Sequence, residues 1–203
     1  MSFQWIIDRA ETITINRKPV VASTTARDGT TRSVSRGNSA WKFDVRLPDG
    51  IPWTEIRGYI SQAEALDRHT PGSFSFSDTG HDWLVKYQGN ASNTNDFAAS
   101  WTSGSNIITV SGGSVLSGFR FRAGDLIQFN SGRFVCTVAQ DVAFNSTSVP
   151  LHRAVLEPTG ISGIRVGAAC QFGVICTAFP DWTLMSRNQV SWSGEFTFVE
   201  DFL

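Results

Sequence analysis

The sequence is poor in charge, cysteine and histidine, and each scarcity removes a class of protein. Charged residues make up 17% of the 203 positions, with 17 Lys and Arg against 18 Asp and Glu for a net charge of −1. Such balance gives no overall attraction for nucleic acid or anionic membrane, and excludes a histone-like DNA binder, a coiled coil and a collagen-like fibre. No apolar run approaches the about 18 residues of a membrane-spanning helix. Met1 to Ala10 places Asp8 and Arg9 after the Phe3–Ile7 run and lacks the basic-then-apolar layout of a signal peptide, which points to synthesis in a cytoplasm. The three cysteines, Cys136, Cys170 and Cys176, are odd in number and have no Cys-x-x-Cys spacing. They read as reduced, buried, small hydrophobes rather than metal ligands. Cys170 and Cys176 would share one face of a continuous strand.

In place of charge the chain has 18 Gly, 23 Ser, 18 Thr, 15 Phe and 7 Trp, the composition of sheets. Thr12–Ile15 alternate and Lys18–Val21 continue the extended pattern. Trp41, Phe43, Val45 and Leu47 alternate again, so 22–40 reads as a long hairpin or wide loop between two half-buried strands. Between Arg17 and Arg46 stand seven basic residues, among them Lys18, Arg27, Arg32 and Arg36, against Asp28 and Asp44. The stretch is either a solvated loop or an arm that packs on an acidic partner surface or lines a channel. Trp53, Ile56, Ile60, Ala63 and Leu66 recur at helical spacing before Pro71-Gly72, predicting one amphipathic helix, Trp53–His69, laid on a sheet.

Phe74 and Phe76, then Trp83, Val85 and Tyr87, predict a hairpin around 77–80, and the polar stretch Gly89–Ser105 a boundary or crossover. Short strands follow at Ile107–Val110, Phe119–Phe121, Asp125–Phe129, Phe134–Val138, Ser148–Leu151 and Val166–Thr177, the spacing of a small barrel or sandwich. The end alternates through Val190, Trp192, Phe196 and Phe198, so a last aromatic strand returns to the first sheet and the middle block is an insertion.

No enzyme constellation emerges, and no cofactor or metal is expected. His69 lies at the predicted helix end, His81 in a turn, and His152 at a strand end after Pro150-Leu151, all better suited to structure than to catalysis. Neither a Gly-x-Ser-x-Gly elbow nor a phosphate-binding glycine loop is present. Phe119-Arg120-Phe121-Arg122 has the aromatic-basic grammar of an oligonucleotide-binding barrel, but only five basic residues lie between Asn106 and Thr177. Core phenylalanines alternating with solvated arginines account for it more simply. Glu195, Glu200 and Asp201 read as an acidic strand face, open to pairing with a neighbouring subunit's basic arm.

The run Phe119–Phe129 with its Ala123-Gly124-Asp125, then Arg133–Val138, then Val149-Pro150-Leu151-His152-Arg153, resembles the inserted barrel of distal tail proteins of long-tailed, non-contractile bacteriophages. Val166-Gly167, Trp182 and Phe196–Glu200 fit the closing pattern of that family. The likeness runs over about residues 100–203, and the first 100 match in layout alone, resembling the tail-tube fold. It implies a mainly β chain: a tail-tube-like β-sandwich or split barrel with one α-helix, formed by 1–98 and 178–203, carrying an inserted small OB-like β-barrel at 99–177. It further implies a homo-oligomeric ring, a hexamer, at the virion's tail tip, assembled in the host cytoplasm. Such a ring joins the tail tube protein to the tail hub protein and receptor-binding machinery, while DNA passes through without sequence-specific binding. Arg17, Lys18, Arg27, Arg32 and Arg36 would then face Glu195, Glu200 and Asp201 across the interface, and reversing Arg32 and Arg36 to Glu should weaken rings. The readings to set against this are a stand-alone carbohydrate- or nucleic-acid-binding β module, monomeric and stabilised by its ligand, and a hydrolase that fails when a histidine is changed.

Overall fold

Alternation of apolar and polar side chains underlies most of the strands in this chain. The computed structural model describes residues 2–17, 21–25, 27, 31–35, 40–65, 70–76, 80–130 and 132–202, with backbone alone for 21–24 and 31–35. In chain order the elements are α1 (Gln4–Ile7), β1 (Thr12–Asn16), β2 (Val21–Thr25), β3 (Thr31–Ser35), β4 (Lys42–Arg46), β5 (Ile51–Pro52), α2 (Trp53–Glu64), β6 (Gly72–Phe74) and β7 (Ala98–Trp101). There follow β8 (Ile107–Ser111), β9 (Phe119–Phe121), β10 (Leu126–Phe129), β11 (Val135–Thr137), β12 (Val142–Ala143) and β13 (Ser148–Pro150). The last are β14 (Gly160–Val166), β15 (Phe172–Ala178), β16 (Asp181–Met185), β17 (Gln189–Ser193) and β18 (Phe196–Glu200). The fold is mainly β and divides into two units, Met1–Asp8 with Gly72–Gly173, and Arg9–Pro71 with Val174–Leu203.

In the second of these units β4 lies between β1 and β18, antiparallel to both, with Ile13 opposite Val45 and Phe198 opposite Phe43. β18 pairs in turn with β15, from Val174 opposite Glu200 onward. The aromatic end of the chain therefore returns to the first sheet, as its alternation predicts. Phe43, Val45, Val174, Phe196 and Phe198 are completely buried. The connection between β1 and β4 contains the hairpin β2–β3, paired from Val21 opposite Ser35 to Thr25 opposite Thr31. A second sheet runs in the order β16-β17-β5. Helix α2 buries Ile56 and Ile60, four residues apart on one face. Its N-cap is Pro52 without a side-chain bond, and the Trp53 N–H donates instead to the Asn188 carbonyl at 2.8 Å. The described helix ends at Glu64, and the predicted extension through 66–69, His69 included, lies outside the described residues.

The other unit is built on a curled six-stranded sheet in the order β11-β10-β14-β7-β8-β13. Its two outer strands meet: Val138 and Leu151 form an antiparallel bridge, flanked by Ala139 N–H to Pro150 O at 2.8 Å and His152 N–H to Thr137 O at 2.9 Å. These bonds join the two outer strands at one bridge, so the sheet curls into a partial barrel. Phe97, Trp101, Phe121 and Phe129 fill the interior, with Trp101 stacked on Phe129 at 3.9 Å between ring centres. β9 and β12 form a separate short pair.

Several expectations need correction. The predicted hairpin at 74–87 does not form: β6 ends at Phe74, and Asp82–Leu84 make a 3-10 turn that leaves Trp83 70% exposed. Gly89–Ser105 is no simple boundary, because it contains β7, an inner strand whose Ala99 and Trp101 point into the core. The predicted strand Val166–Thr177 breaks at a 3-10 turn, Gly167–Ala169, where Gly167 has φ +62° and a Cβ would stand 2.7 Å from the Val85 carbonyl oxygen. Cys170 and Cys176 accordingly lie on no common strand. By their internal contacts the two units divide at 8/9, 71/72 and 173/174.

Candidate functional site

The aromatic-basic run at β9 is tied into the barrel at every side chain. Phe121 is fully buried and packs on Phe97 at 4.9 Å. The Arg120 guanidinium donates to the Gly112 and Phe144 carbonyls at 2.9 and 3.1 Å, and the Tyr87 hydroxyl donates to the Arg120 carbonyl. Arg122 lies over the Phe119 ring at 3.7 Å and pairs with Asp141 at 2.8 Å. These arginines hold loops together, so they are engaged rather than simply solvated. Both the cation–π contact and the ion pair are exposed to solvent, which screens them.

Ala123-Gly124-Asp125 is a structural turn. Asp125 is 3% exposed, and its carboxylate accepts the backbone N–H groups of Gln88 at 2.9 Å and Arg122 at 2.8 Å. Burial holds its pKa above the ordinary range against the pull of those two bonds. The Asp141 carboxylate accepts the Ala123 N–H at 2.8 Å as well as Arg122, and its pKa is lowered by those bonds in that order. The buried Gln128 amide donates to the Gln171 carbonyl at 2.7 Å and accepts the Gln171 N–H at 2.8 Å. Buried Arg153 donates to the Val135 carbonyl at 3.1 Å. Asp125, Gln128 and Arg153 are thus each bonded to backbone of this unit. The His152 Nδ1 accepts the Thr137 N–H at 2.8 Å.

In the other unit, Arg17 and Glu200 meet at Trp41. The Arg17 guanidinium sits 5.2 Å from the indole centre, and the Glu200 carboxylate accepts the Trp41 N–H at 3.2 Å. Glu200 is 4% and Asp201 6% exposed, so the acidic strand face expected at the C-terminus is not a surface. Only Glu195 of that trio is exposed. Arg17 and Arg27 are exposed, Arg32 stands on β3, and Lys18 and Arg36 lie outside the described residues. The sequence pattern gives no sign of Trp41 as the shared partner. Nor does it signal the Trp53–Trp182 stack at 4.9 Å, whose Trp182 Nε1–H donates to Glu64 at 3.1 Å.

Among the described residues no group of three or more His, Cys, Asp or Glu is placed to hold a metal, and no helix is long and apolar enough to cross a membrane. No protein-family model matches the chain, and no curated protein matches it.

Proposed function

We propose that this protein is a structural subunit of a bacteriophage tail tip. It forms a ring at the distal end of the tail tube and joins the tube to the hub and receptor-binding machinery around the DNA channel. The observation that carries the reading is the interruption of one β unit by another. A curled β unit, Gly72–Gly173, enters between Pro71 and Val174 of a unit that has the hairpin β2–β3 and the helix α2. That layout, together with the Phe119–Arg153 run, fits the distal tail resemblance. The buried polar groups of the barrel support a structural role, because Asp125, Gln128 and Arg153 are bonded to backbone. The partners are further copies of the chain, the tail tube protein and the tail hub protein.

Gold-labelled antibody on purified particles tests the location. Label at the free end of the tail supports the proposal, and particles that carry the protein elsewhere, or lack it, contradict it.

A further inference from the structure

Asp-Gly occurs at 28–29, outside the described residues, and at 49–50. This dipeptide is chemically fragile. The glycine amide nitrogen attacks the aspartate side-chain carbon, water leaves, and a succinimide ring forms. Glycine has no side chain to hinder the attack. Water then opens the ring at either carbonyl. Opening at the former main-chain carbonyl leaves isoaspartate, of unchanged mass, with the backbone now running through the side-chain carbon.

The fold uses both residues at 49–50. Gly50 has φ +88°, the left-handed region that favours glycine, at the turn into β5. The Asp49 Oδ1 accepts the Ser191 hydroxyl at 2.8 Å and the Trp192 N–H at 3.1 Å, which ties the turn to β17. Asp49 is exposed, so the water that the reaction needs is at hand.

The same contacts restrain the reaction at each partner. The attacked carboxylate has one oxygen held by two donors, and it must swing over the Gly50 nitrogen to react. The Ser191 hydroxyl, and after it the Trp192 N–H, keeps the group ionised to lower pH than usual. An ionised carboxylate is a poor electrophile, because its oxygen cannot leave as water without a proton. The nucleophile is engaged as well: the Gly50 N–H donates to the Val190 carbonyl at 2.9 Å.

We propose that Asp49-Gly50 is a modification site closed by the fold, with Ser191 as its guard, where isoaspartate forms only when the 47–52 segment parts from β17. The extra backbone carbon would displace the bonds that follow. These are Gly50 N–H to Val190 O, the pairs Ile51 with Val190 and Pro52 with Gln189, and Trp53 N–H to Asn188 O at the start of α2. Isoaspartate made in the open chain therefore hinders reclosure and leaves a lasting mark of opening. The protection belongs to the single chain and is the same with or without a ring.

The test compares folded protein with protein in guanidinium chloride, held at one mildly acidic pH and one temperature. Trypsin releases 47–57, with Asp49 as its one aspartate. Chromatography and electron-transfer fragmentation then separate and identify its isoaspartyl form. The folded chain should react at least about tenfold more slowly, since hydrogen bonds to a charged acceptor must break first. Equal rates would overturn the proposal. Ser191→Ala, shown folded by circular dichroism, should react severalfold faster than the parent, and Ser193→Ala on the same strand should not. An unchanged rate in folded Ser191→Ala would overturn the guard. If that variant does not fold, Ser191→Thr keeps the hydroxyl and should stay as slow as the parent; a fast rate there would overturn the guard equally.

Discussion

His152 bonds both backbone groups of Thr137: its Nδ1 accepts the Thr137 N–H at 2.8 Å, and its own N–H donates to the Thr137 carbonyl at 2.9 Å. In a regular ladder the carbonyl of residue 152 would take that N–H. The imidazole takes its place and ends the seam between β11 and β13. Replacing His152 by Ala should cost about 1–3 kcal/mol by stranding the Thr137 N–H in a buried seam. His152→Asn, whose Oδ1 can stand where Nδ1 stood, should lose less than half as much. Urea unfolding of the two variants checks this, and equal losses would refute the bond's role.

The carboxylates of the Ala123–Asp125 turn should titrate in opposite directions. Burial raises the pKa of Asp125 above its ordinary value of 3.8, so the folded state holds that proton more tightly. Its contribution to stability is full below 3.8 and is lost as pH rises through the raised folded value. The Ala123 N–H and then Arg122 lower the pKa of Asp141, whose contribution is present above 3.8 and lost as pH falls through the lower folded value. Asp49 behaves like Asp141, held down by the Ser191 hydroxyl and then the Trp192 N–H. Carboxyl carbon shifts followed by NMR should place the Asp125 midpoint above 3.8 and those of Asp49 and Asp141 below it.

Two glycines should respond with opposite sign. Gly112 has φ +82°, and a Cβ there would stand 2.1 Å from the Asp96 carbonyl oxygen. Gly112→Ala should destabilise by more than about 1 kcal/mol from the left-handed backbone alone. Gly58 lies within α2, and a methyl group added to it would meet nothing within 4 Å. Gly58→Ala should stabilise by about 0.5–1 kcal/mol. Thermal melts of both variants decide.

The thiols should be silent in the folded protein. Cys136 and Cys170 are each 2% exposed and Cys176 8%. Burial pushes the Cys170 thiol well above its ordinary value, so little thiolate, the reactive form, is present at neutral pH. A chromogenic disulfide reagent should label none of the three on the time scale in which it labels all three in denaturant. Rapid native labelling would contradict this packing.

How much of the fold the sequence reveals depends on side-chain size. β1, β4 and β18 alternate large apolar residues with polar ones, and their pairing follows from that pattern. β7 escapes because Ala-Ala-Ser-Trp offers a single large residue, while hydrogen bonding to β14 and β8 makes it a strand. Trp83 and Val85 alternate like a strand yet belong to a 3-10 turn, since only Val85 found a place in the core. The acidic end was legible in principle: Glu200 shares the parity of Phe196 and Phe198, the buried face of β18. What no local pattern supplies is the N–H of Trp41, 159 residues away, that makes burying that carboxylate tolerable.

The central claim is that the chain works as a ring subunit, and its solution mass tests this most directly. Light scattering on the purified protein, alone and with the tube and hub proteins, should be paired with negative-stain images of the same peak. The account predicts a closed ring of about six copies, formed alone or when either partner is added. A strict monomer that ignores both partners would contradict it.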